Sequence, residues 1–428
     1  MTQTPRKPRF FLGWTVVAVA ALGAFSEVAF FNPVLGVFIP EFEREFGWSR
    51  TEISAAVTVG SLVGAIFAPF FGPLVDRYGG KPFVVGGCLI MAAGLICLSL
   101  MQEAWQFFVI YAIGRGAASG IISLAIGVTV SKWFIRKRGY AVGLTFVGTR
   151  CGFALLPIGV QLLIQSYDWR TGAVALAAVV VVCGVLPALF WLYPRPERYG
   201  LEPDGDAPLP PMMAGQPRPV REVSWTRHEA IHTKAFWLLT LAVAIQQWAG
   251  GAINLHQIPH LVDSGLTPEA AALVISVLAV FGGAGALFEG LLDARIGARW
   301  TMAIGLLGSA IGMVILMNVH SVAMGLLFAA VYGASFGMMV TSGQIVFADY
   351  FGREALGAIR GTSAPIQFSF NAVGPLMAGV AFDVTGNYLA AFIPFTIGYL
   401  LAAAALAMAQ KPKLPAGREL TPVIEPAG

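Results

Sequence analysis

The sequence predicts an all-α membrane protein in which twelve transmembrane helices form two pseudo-symmetric six-helix bundles. Three observations lead to this prediction: an apolar composition, a series of long apolar runs, and a second half that repeats the first. Of the 428 residues, 57% are hydrophobic and only 12% are charged, and the mean hydropathy is +0.74. A chain with so few charges cannot cover a water-soluble core of this size, so it belongs in a lipid bilayer.

Apolar runs long enough to cross a membrane recur along the whole chain. The hydrocarbon core of a bilayer is about 30 Å thick and is crossed by about 20 helical residues. The fifty glycines fit this interpretation, because small residues let membrane helices approach closely. We number the predicted spans 1 to 12; in order they cover Leu12–Ile39, Thr51–Val75, Pro82–Leu100, Trp105–Ser131, Gly139–Ile164, Thr171–Trp191, Ala235–His260, Pro268–Leu292, Trp300–Met317, Ser321–Phe347, Leu356–Phe382 and Tyr388–Ala409.

The two halves of the chain share a motif. The segment Gly72–Lys81 returns in weaker form as Glu289–Arg299, and the offset from Asp76 to Asp293 is 217 residues. Duplicated halves in so apolar a chain are typical of carriers whose two bundles surround a central cavity. The same offset relates Trp133 and Phe134 to Tyr350 and Phe351, and Arg136 to Arg353.

The distribution of Lys and Arg predicts the orientation in the membrane. The predicted loops and adjoining span ends on the side of both termini carry most of these residues, including Arg353 and Arg360 near the start of span 11, whereas the other side carries only Arg44, Arg50 and Arg170. Positively charged loops remain in the cytoplasm. We therefore expect a multi-pass protein of the bacterial inner membrane with both termini cytoplasmic.

The same pattern divides the chain into four parts. Residues 1–193 form the first bundle, 194–233 a cytoplasmic linker, 234–411 the second bundle and 412–428 a disordered cytoplasmic tail. The linker is rich in Pro, Gly, Asp and Glu, and we interpret it as a solvated tether, with a short surface helix near Trp225 to Lys234. The four cysteines lie within spans and lack metal-ligand spacing, so we predict neither a disulfide nor a metal site.

With these motifs in view, the chain resembles the major facilitator superfamily over almost its whole length. The match is strongest at Gly72–Lys81, the loop between spans 2 and 3. Within the superfamily it is most similar to the monocarboxylate transporters and their bacterial oxalate/formate relatives. The segments that carry this similarity are Gly13-Trp14, Phe46–Arg50, Ser131–Gly143, Asp168–Arg170 and Gly374-Pro375.

The resemblance implies a conformational gate in this loop and in its repeat. Asp76 would pair with basic residues and backbone amides of a neighbouring helix in one conformation and release them in the other. Members of the monocarboxylate group often carry a basic residue inside span 8 that binds the carboxylate, and residues 275–288 contain none here. The expected gate residues are Gly72, Asp76, Arg77, Gly79, Lys81 and Asp293.

Ionisable groups in the middle of a span identify candidate site residues, because each costs about 2.5–3.5 kcal/mol on insertion scales. Arg150, near Gly148 and Gly152, is the first candidate for an anion site, since a guanidinium can bind a carboxylate through two parallel hydrogen bonds. The alternative is a permanent ion pair with Glu27. We hypothesise that an arriving anion competes with Glu27 for Arg150 and so allows Glu27 to bind a proton.

Further polar residues extend the list of candidates. The resemblance associates Arg115 in span 4 with proton coupling, and the alternative is that it donates to backbone carbonyls of span 1. In the second half, His256 and His260 are four residues apart but lack a third metal ligand. The candidates for lining the cavity there, with packing between helices as the alternative, are Gln246, Asn254, His256, Gln344, Gln367 and Asn371.

We therefore expect a secondary transporter that moves a small, monocarboxylate-like organic anion by alternating access, with proton symport. Alternatives are exchange of two carboxylates, transport of aromatic acids, and a substrate sensor that does not transport. The sequence contains no P-loop and no catalytic arrangement of Ser, His and Asp. We thus expect no enzymatic activity, no cofactor and no nucleic-acid partner, and a carrier that works as a monomer.

Overall fold

The computed structural model describes residues 11–48, 50–206 and 224–413, and these are helical almost throughout. Eleven of the described helices are long and apolar enough to cross a membrane. The twelfth, Leu356–Thr385, has 30 residues and completes the second half. The predicted twelve-span architecture is confirmed, with spans 1 to 12 at Leu12–Phe46, Arg50–Tyr78, Lys81–Ser99, Ala104–Trp133, Arg138–Ser166, Trp169–Trp191, Lys234–Asp263, Pro268–Ile296, Ala298–Met317, Val322–Phe351, Leu356–Thr385 and Leu389–Met408.

Span 1 is broken near its middle. The helix Leu12–Glu27 ends in a short 3-10 turn at Val28–Phe30, Phe31 is extended, and a second helix runs over Asn32–Phe46. Irregular backbone at membrane depth persists only where its polar groups find partners. Here the carbonyl oxygen of Phe30 accepts hydrogen bonds from the Tyr111 hydroxyl and from Arg115 Nη1, each at 3.0 Å.

Spans 1–6 and spans 7–12 form separate bundles that meet along two pairs of helices. Span 2 packs against span 11, and span 5 packs against span 8. The linker between the halves, the first residues of span 1 and the last residues of span 12 lie at one end of the molecule, which we call the linker end. We call the opposite end the loop end.

The described parts of the linker are bound to helix ends, contrary to the solvated tether expected from composition. The Asp204 carboxylate accepts hydrogen bonds from the backbone amides of Ile135, Arg136 and Lys137 at 2.9–3.1 Å. The amide of Trp225 donates to the carbonyl oxygen of Phe351 at 2.8 Å. A short helix follows at Arg227–Ile231, as predicted, whereas all but the first two residues of the expected disordered tail lie outside the described residues.

Candidate functional site

Spans 2 and 11 touch at backbone level near the linker end. A Cβ atom on Gly72 would lie 2.1 Å from the carbonyl oxygen of Gly357, and one on Gly361 would lie 2.5 Å from that of Ala68. Such distances leave no room for a side chain, so glycine is required at both positions. We call this contact, formed by Ala68, Gly72, Asp76, Gly357 and Gly361, the 2–11 crossing.

Asp76 binds both halves of the protein at this crossing. Its carboxylate lies 3.0 Å from Lys132 Nζ in span 4, and it accepts hydrogen bonds from the amides of Gly357 at 3.1 Å and Ala358 at 2.8 Å. These amides belong to the first turn of span 11, where a helix N-terminus favours negative charge. The geometry is the one expected of Asp76 as a gate residue: a basic partner and amides of a neighbouring helix.

Spans 5 and 8 form a second contact at the same end. A Cβ on Gly290 would lie 2.5 Å from the amide nitrogen of Tyr140, and one on Gly143 would lie 2.4 Å from the carbonyl oxygen of Ala286. A Cβ on Gly139 would lie 2.9 Å from carboxylate oxygens of both Glu289 and Asp293. We call this contact, formed by Gly139, Gly143, Ala286, Glu289, Gly290 and Asp293, the 5–8 crossing.

Polar contacts between the halves also lie at the linker end. Buried Arg138 at the start of span 5 forms an ion pair with Asp349 in span 10 at 2.8 Å. Arg195 pairs with Glu354 at 2.8 Å, and Arg353 donates to the carbonyl oxygen of Lys132. Among the described residues, the close contacts between halves thus cluster at the linker end, and the protein is closed there.

The remaining predicted gate residues lie around the 2–11 crossing without bridging the halves. Gly79 has a left-handed backbone (φ 84°), and a Cβ on it would lie 2.6 Å from Pro194. Lys81 is the first residue of span 3. Arg77 is exposed and, with Asp76, Arg195, Glu197, Arg198 and Glu354, lines a surface depression of about 580 Å³.

Arg150 lies between the two halves. Its guanidinium carbon is 4.6 Å and 5.8 Å from the ring centres of Phe146 and Phe153 in span 5, and 5.5 Å from that of Phe336 in span 10. A Cβ on Gly282 of span 8 would be 3.6 Å from the same carbon. The side chain is partly accessible, yet Nε is buried without a hydrogen-bond partner, and no acidic residue in the described chain pairs with Arg150.

The structure does not bring Glu27 to Arg150, so the alternative of a permanent ion pair between them is wrong for this state. On span 1, Phe25 and Val28 face Gly152 of span 5. Glu27 directly precedes Val28 but lies one turn after Gly23, and it points toward the side of span 1 where Gly23 meets Val84 and Ile126 of spans 3 and 4. Glu27 is 6% exposed, and its Oε2 has no partner among the described residues.

Arg115 donates to a backbone carbonyl of span 1, which was the alternative to a part in proton coupling. Besides its bond to the Phe30 carbonyl oxygen in the break of span 1, its Nε donates to Ser61 Oγ in span 2 at 3.2 Å. Its guanidinium also lies over the ring of Phe31 at 5.2 Å. Arg115 therefore ties spans 1, 2 and 4 together, and its predicted part in proton coupling stays a prediction.

Most polar candidates of spans 7 and 11 contact other helices of the second half. His256 forms a hydrogen bond with the carbonyl oxygen of Pro375 at 3.1 Å, and Asn371 Nδ2 donates to the carbonyl oxygen of Gln247 at 3.1 Å. Buried Gln246 lies beside Gly343 of span 10. Gln367 donates to Ser363 in its own helix. These contacts fit the packing alternative, and Asn254 is exposed.

Sequence reasoning missed Arg360 as a site candidate, because this residue near the start of span 11 was counted only with the cytoplasmic charges. It lies inside span 11, where its Nη2 donates to Gln344 of span 10 and its Nη1 is buried without a partner in the described structure. A Cβ on Gly127 of span 4 would lie 2.4 Å from Nη1. The signal available in the sequence was its place one turn after the predicted helix start, directly before Gly361.

Two six-span halves that touch through paired crossings at one end, with a cation between them, define a two-domain membrane carrier. The family model of the Major Facilitator Superfamily matches residues 13–258 and 239–425. The chain belongs to this superfamily, and it is a transporter and not an enzyme.

Curated relatives and a solved structure agree with this assignment. Monocarboxylate transporter 13 of Bos taurus is 26% identical over 396 residues, covering 89% of this chain and 85% of the relative. Monocarboxylate transporter 11 of Homo sapiens is 27% identical over 404 residues, covering 89% and 80%. The fold matches the crystal structure of the human organic anion transporter MFSD10 (TETRAN) with a TM-score of 0.68 at 17% identity, covering 92% of this chain and 99% of that one. The predicted resemblance to the monocarboxylate transporter group is confirmed.

Proposed function

We propose that this protein is a secondary transporter that moves a small organic anion with a carboxylate group by alternating access, in symport with protons. The observation that carries the proposal is Arg150, a partly accessible guanidinium between the halves that has no acidic partner in the described chain. An unpaired charge at membrane depth is retained mostly where it meets a cavity or a ligand. A carboxylate would supply the missing acceptor through charge-assisted hydrogen bonds.

The surroundings of Arg150 favour a small acid. The rings of Phe146, Phe153 and Phe336 occupy positions around the guanidinium, which leaves its nitrogen edge as the polar part of the site. The basic residue expected inside span 8 is missing, but the Arg150 guanidinium lies beside Gly282 of that span. A cation from span 5 thus lies beside span 8, where the resemblance led us to expect a cation of span 8 itself. The relatives named as monocarboxylate transporters support the same substrate class.

Orientation follows from the charge distribution. If the linker end faces the cytoplasm, as the positive-inside rule predicts, the present state is closed to the cytoplasm and Arg150 would be reached from outside. Placement in a bacterial inner membrane, action as a monomer and lack of a cofactor belong to the same proposal.

Proton coupling requires a carboxyl group that can gain and lose a proton. Glu27 is the candidate, because it is buried at the end of the first helix of span 1 and Oε2 has no partner in the described structure. Its separation from Arg150 removes direct competition with the anion, so coupling would act through span 1, whose Phe25 and Val28 contact span 5. Glu27→Gln should abolish the stimulation of uptake by an inward proton gradient. Unchanged stimulation would exclude Glu27 as the proton carrier. Exchange of two carboxylates is the second candidate for the transport mode.

A thermal-shift series tests the substrate class. Purified protein is titrated with lactate, pyruvate, benzoate and succinate, with glucose as a neutral control. A ligand at 100 times its Kd stabilises the folded state by about 2.7 kcal/mol, so at least one monocarboxylate should raise the Tm of the wild type and not that of Arg150→Gln. The matched control is Arg170→Gln, which removes a half-exposed guanidinium paired with Glu45. Stabilisation by glucose alone would refute the proposal, and uptake into proteoliposomes would separate a carrier from a sensor.

A further inference from the structure

Arg360 is a second cation between the halves, and it is not part of the Arg150 site. It lies in the second turn of span 11, and its neighbour Gly361 belongs to the 2–11 crossing. Its Nη1 faces Gly127 of span 4 in the other half. The residue is partly accessible, although its Nη1 is buried.

The Arg360 guanidinium has a hydrogen-bond acceptor for Nη2 but none for Nη1 in the described chain. Nη2 donates to Gln344 Oε1, which fixes the orientation of the group. Nη1 is buried and has no acceptor in the described chain, and no carboxylate there forms an ion pair with Arg360. A guanidinium that served only to join spans 4, 10 and 11 would donate to a carbonyl or hydroxyl group of span 4. Nη1 of Arg360 instead faces a glycine of that span and has no acceptor among the described residues.

Helix register gives the difference in depth between the backbone positions at the two cations. Phe336 contacts Arg150 and Gln344 contacts Arg360; eight residues of span 10 separate them, or about 12 Å at 1.5 Å per residue. Spans 5 and 11 give the same answer. Arg150 follows the linker end of span 5 by 12 residues and Arg360 that of span 11 by four, a difference in depth of about 12 Å. A small monocarboxylate is too short to contact both.

We propose that Arg360 and Gln344 form a second anion-binding site, on the linker side of Arg150, which the carboxylate occupies after leaving Arg150 and before leaving the protein. The inference rests on the proposed anion transport and adds a second station to its path. When the 2–11 crossing opens, span 11 moves away from span 2 and Arg360 becomes accessible from the linker end. Nη1 then offers the carboxylate a charge-assisted hydrogen bond, and Gln344 keeps the guanidinium in position.

One-sided kinetics test the second site. The protein is reconstituted in proteoliposomes in one orientation, and exchange is measured with radiolabelled lactate or pyruvate, whichever acid gives the larger thermal shift, added on either side. For Arg360→Gln we expect the linker-side KM to rise about tenfold or more, the usual order for loss of one charge-assisted hydrogen bond, with the loop-side KM within twofold of wild type. Arg360→Lys should restore part of the linker-side affinity.

Further variants keep the test decisive if Arg360→Gln folds poorly. Gly127→Ala places a methyl group 2.4 Å from the present position of Nη1 and should raise the linker-side KM alone, as should Gln344→Leu. The matched control is Arg299→Gln, which removes a linker-end guanidinium that donates to the Ala409 carbonyl within the second half. An unchanged linker-side KM, or equal changes on both sides, would overturn the second site. If Arg150→Gln retains full acid binding, the proposed function itself has failed.

Discussion

The two crossings at the linker end occupy equivalent places in the repeated halves but use their carboxylates differently. At the 2–11 crossing, Asp76 has a lysine partner and two amide donors. At the 5–8 crossing, Glu289 replaces the glycine that corresponds to Gly72, is fully buried, and receives a single hydrogen bond, from Ser342 at 3.1 Å. Its other oxygen has no partner in the described structure.

The duplicated halves therefore share the close backbone contact at each crossing but differ in the partners of the carboxylates beside it. Both crossings rely on glycines that allow backbone contact, because the halves must meet there to close the linker end. Arg138, the cation nearest in the chain to the 5–8 crossing, pairs with Asp349 of span 10, and no ion pair joins it to Glu289. The first crossing is therefore electrostatically complete, whereas the second contains an uncompensated carboxyl group.

The largest expected effect comes from filling the 2–11 crossing. In Gly72→Val the new Cβ would lie 2.1 Å from a backbone carbonyl oxygen that cannot move aside, so the linker end should not close. Cross-linking of a cysteine pair at Arg77 and Glu354, in a background without the native cysteines, should fall at least tenfold, in line with loss of about 1.4 kcal/mol or more of closure free energy. Gly86→Val, where nothing lies within 4 Å, is the control; equal cross-linking in both variants would contradict the crossing.

The next effect separates the two carboxylates. Asp76→Asn leaves Lys132, whose side chain is 3% exposed, as an unpaired buried cation, and breaking such a pair costs about 3–5 kcal/mol. We expect a marked fall in Tm by scanning fluorimetry. Adding Lys132→Met should recover part of the loss, because the orphan charge is then gone. A Tm within a degree of wild type for Asp76→Asn would show that the ion pair contributes little.

Replacing the carboxyl group by an amide at the 5–8 crossing should raise the Tm, whereas the same replacement at the 2–11 crossing should lower it. Glu289→Gln removes an ionisable group that is costly to bury without a partner and keeps an oxygen that accepts from Ser342, so we expect the folded closed state to gain about 1–3 kcal/mol, the desolvation cost of an unsatisfied buried group. The Tm measured at pH 8 should rise. A fall as large as that of Asp76→Asn would mean that Glu289 has a partner in solution and that the two crossings are electrostatically alike.

The smallest effect concerns Gly139. Its Cβ would meet the ends of the Glu289 and Asp293 side chains at 2.9 Å and the Gly290 backbone at 3.0 Å. Side-chain ends can rotate away, so Gly139→Ala should cost only about 1 kcal/mol, well below Gly72→Ala. Urea or thermal unfolding of the two variants side by side measures the difference, and equal losses would show that Gly139, like Gly72, is limited by backbone contact.

Particular elements show where sequence reasoning succeeded and where it failed. The span positions, the repeat and the gate motif follow from local patterns, and Asp76 meets the type of partners expected of it. Glu27 and Arg150 were expected to be within reach because both lie near the middle of their spans. Their separation depends on the rotation of the first helix of span 1 about its own axis, which the apolar pattern does not specify. Span 11 was predicted to begin at Leu356, where it does begin, but Arg360 was counted with the cytoplasmic charges because the charge pattern alone does not show which way a side chain near a helix end points.

The sequence by itself determined that this chain crosses the membrane twelve times in two related halves, because hydrophobic length and internal repetition are properties of the chain alone. Only the tertiary structure decided that Arg150 faces spans 8 and 10, that Glu27 faces away from it, that Arg360 points across to Gly127, and that Glu289 lacks a cation. The physical reason is that a side chain's partner depends on the rotation and depth of two helices at once, and neither is written in the apolar pattern of a single span.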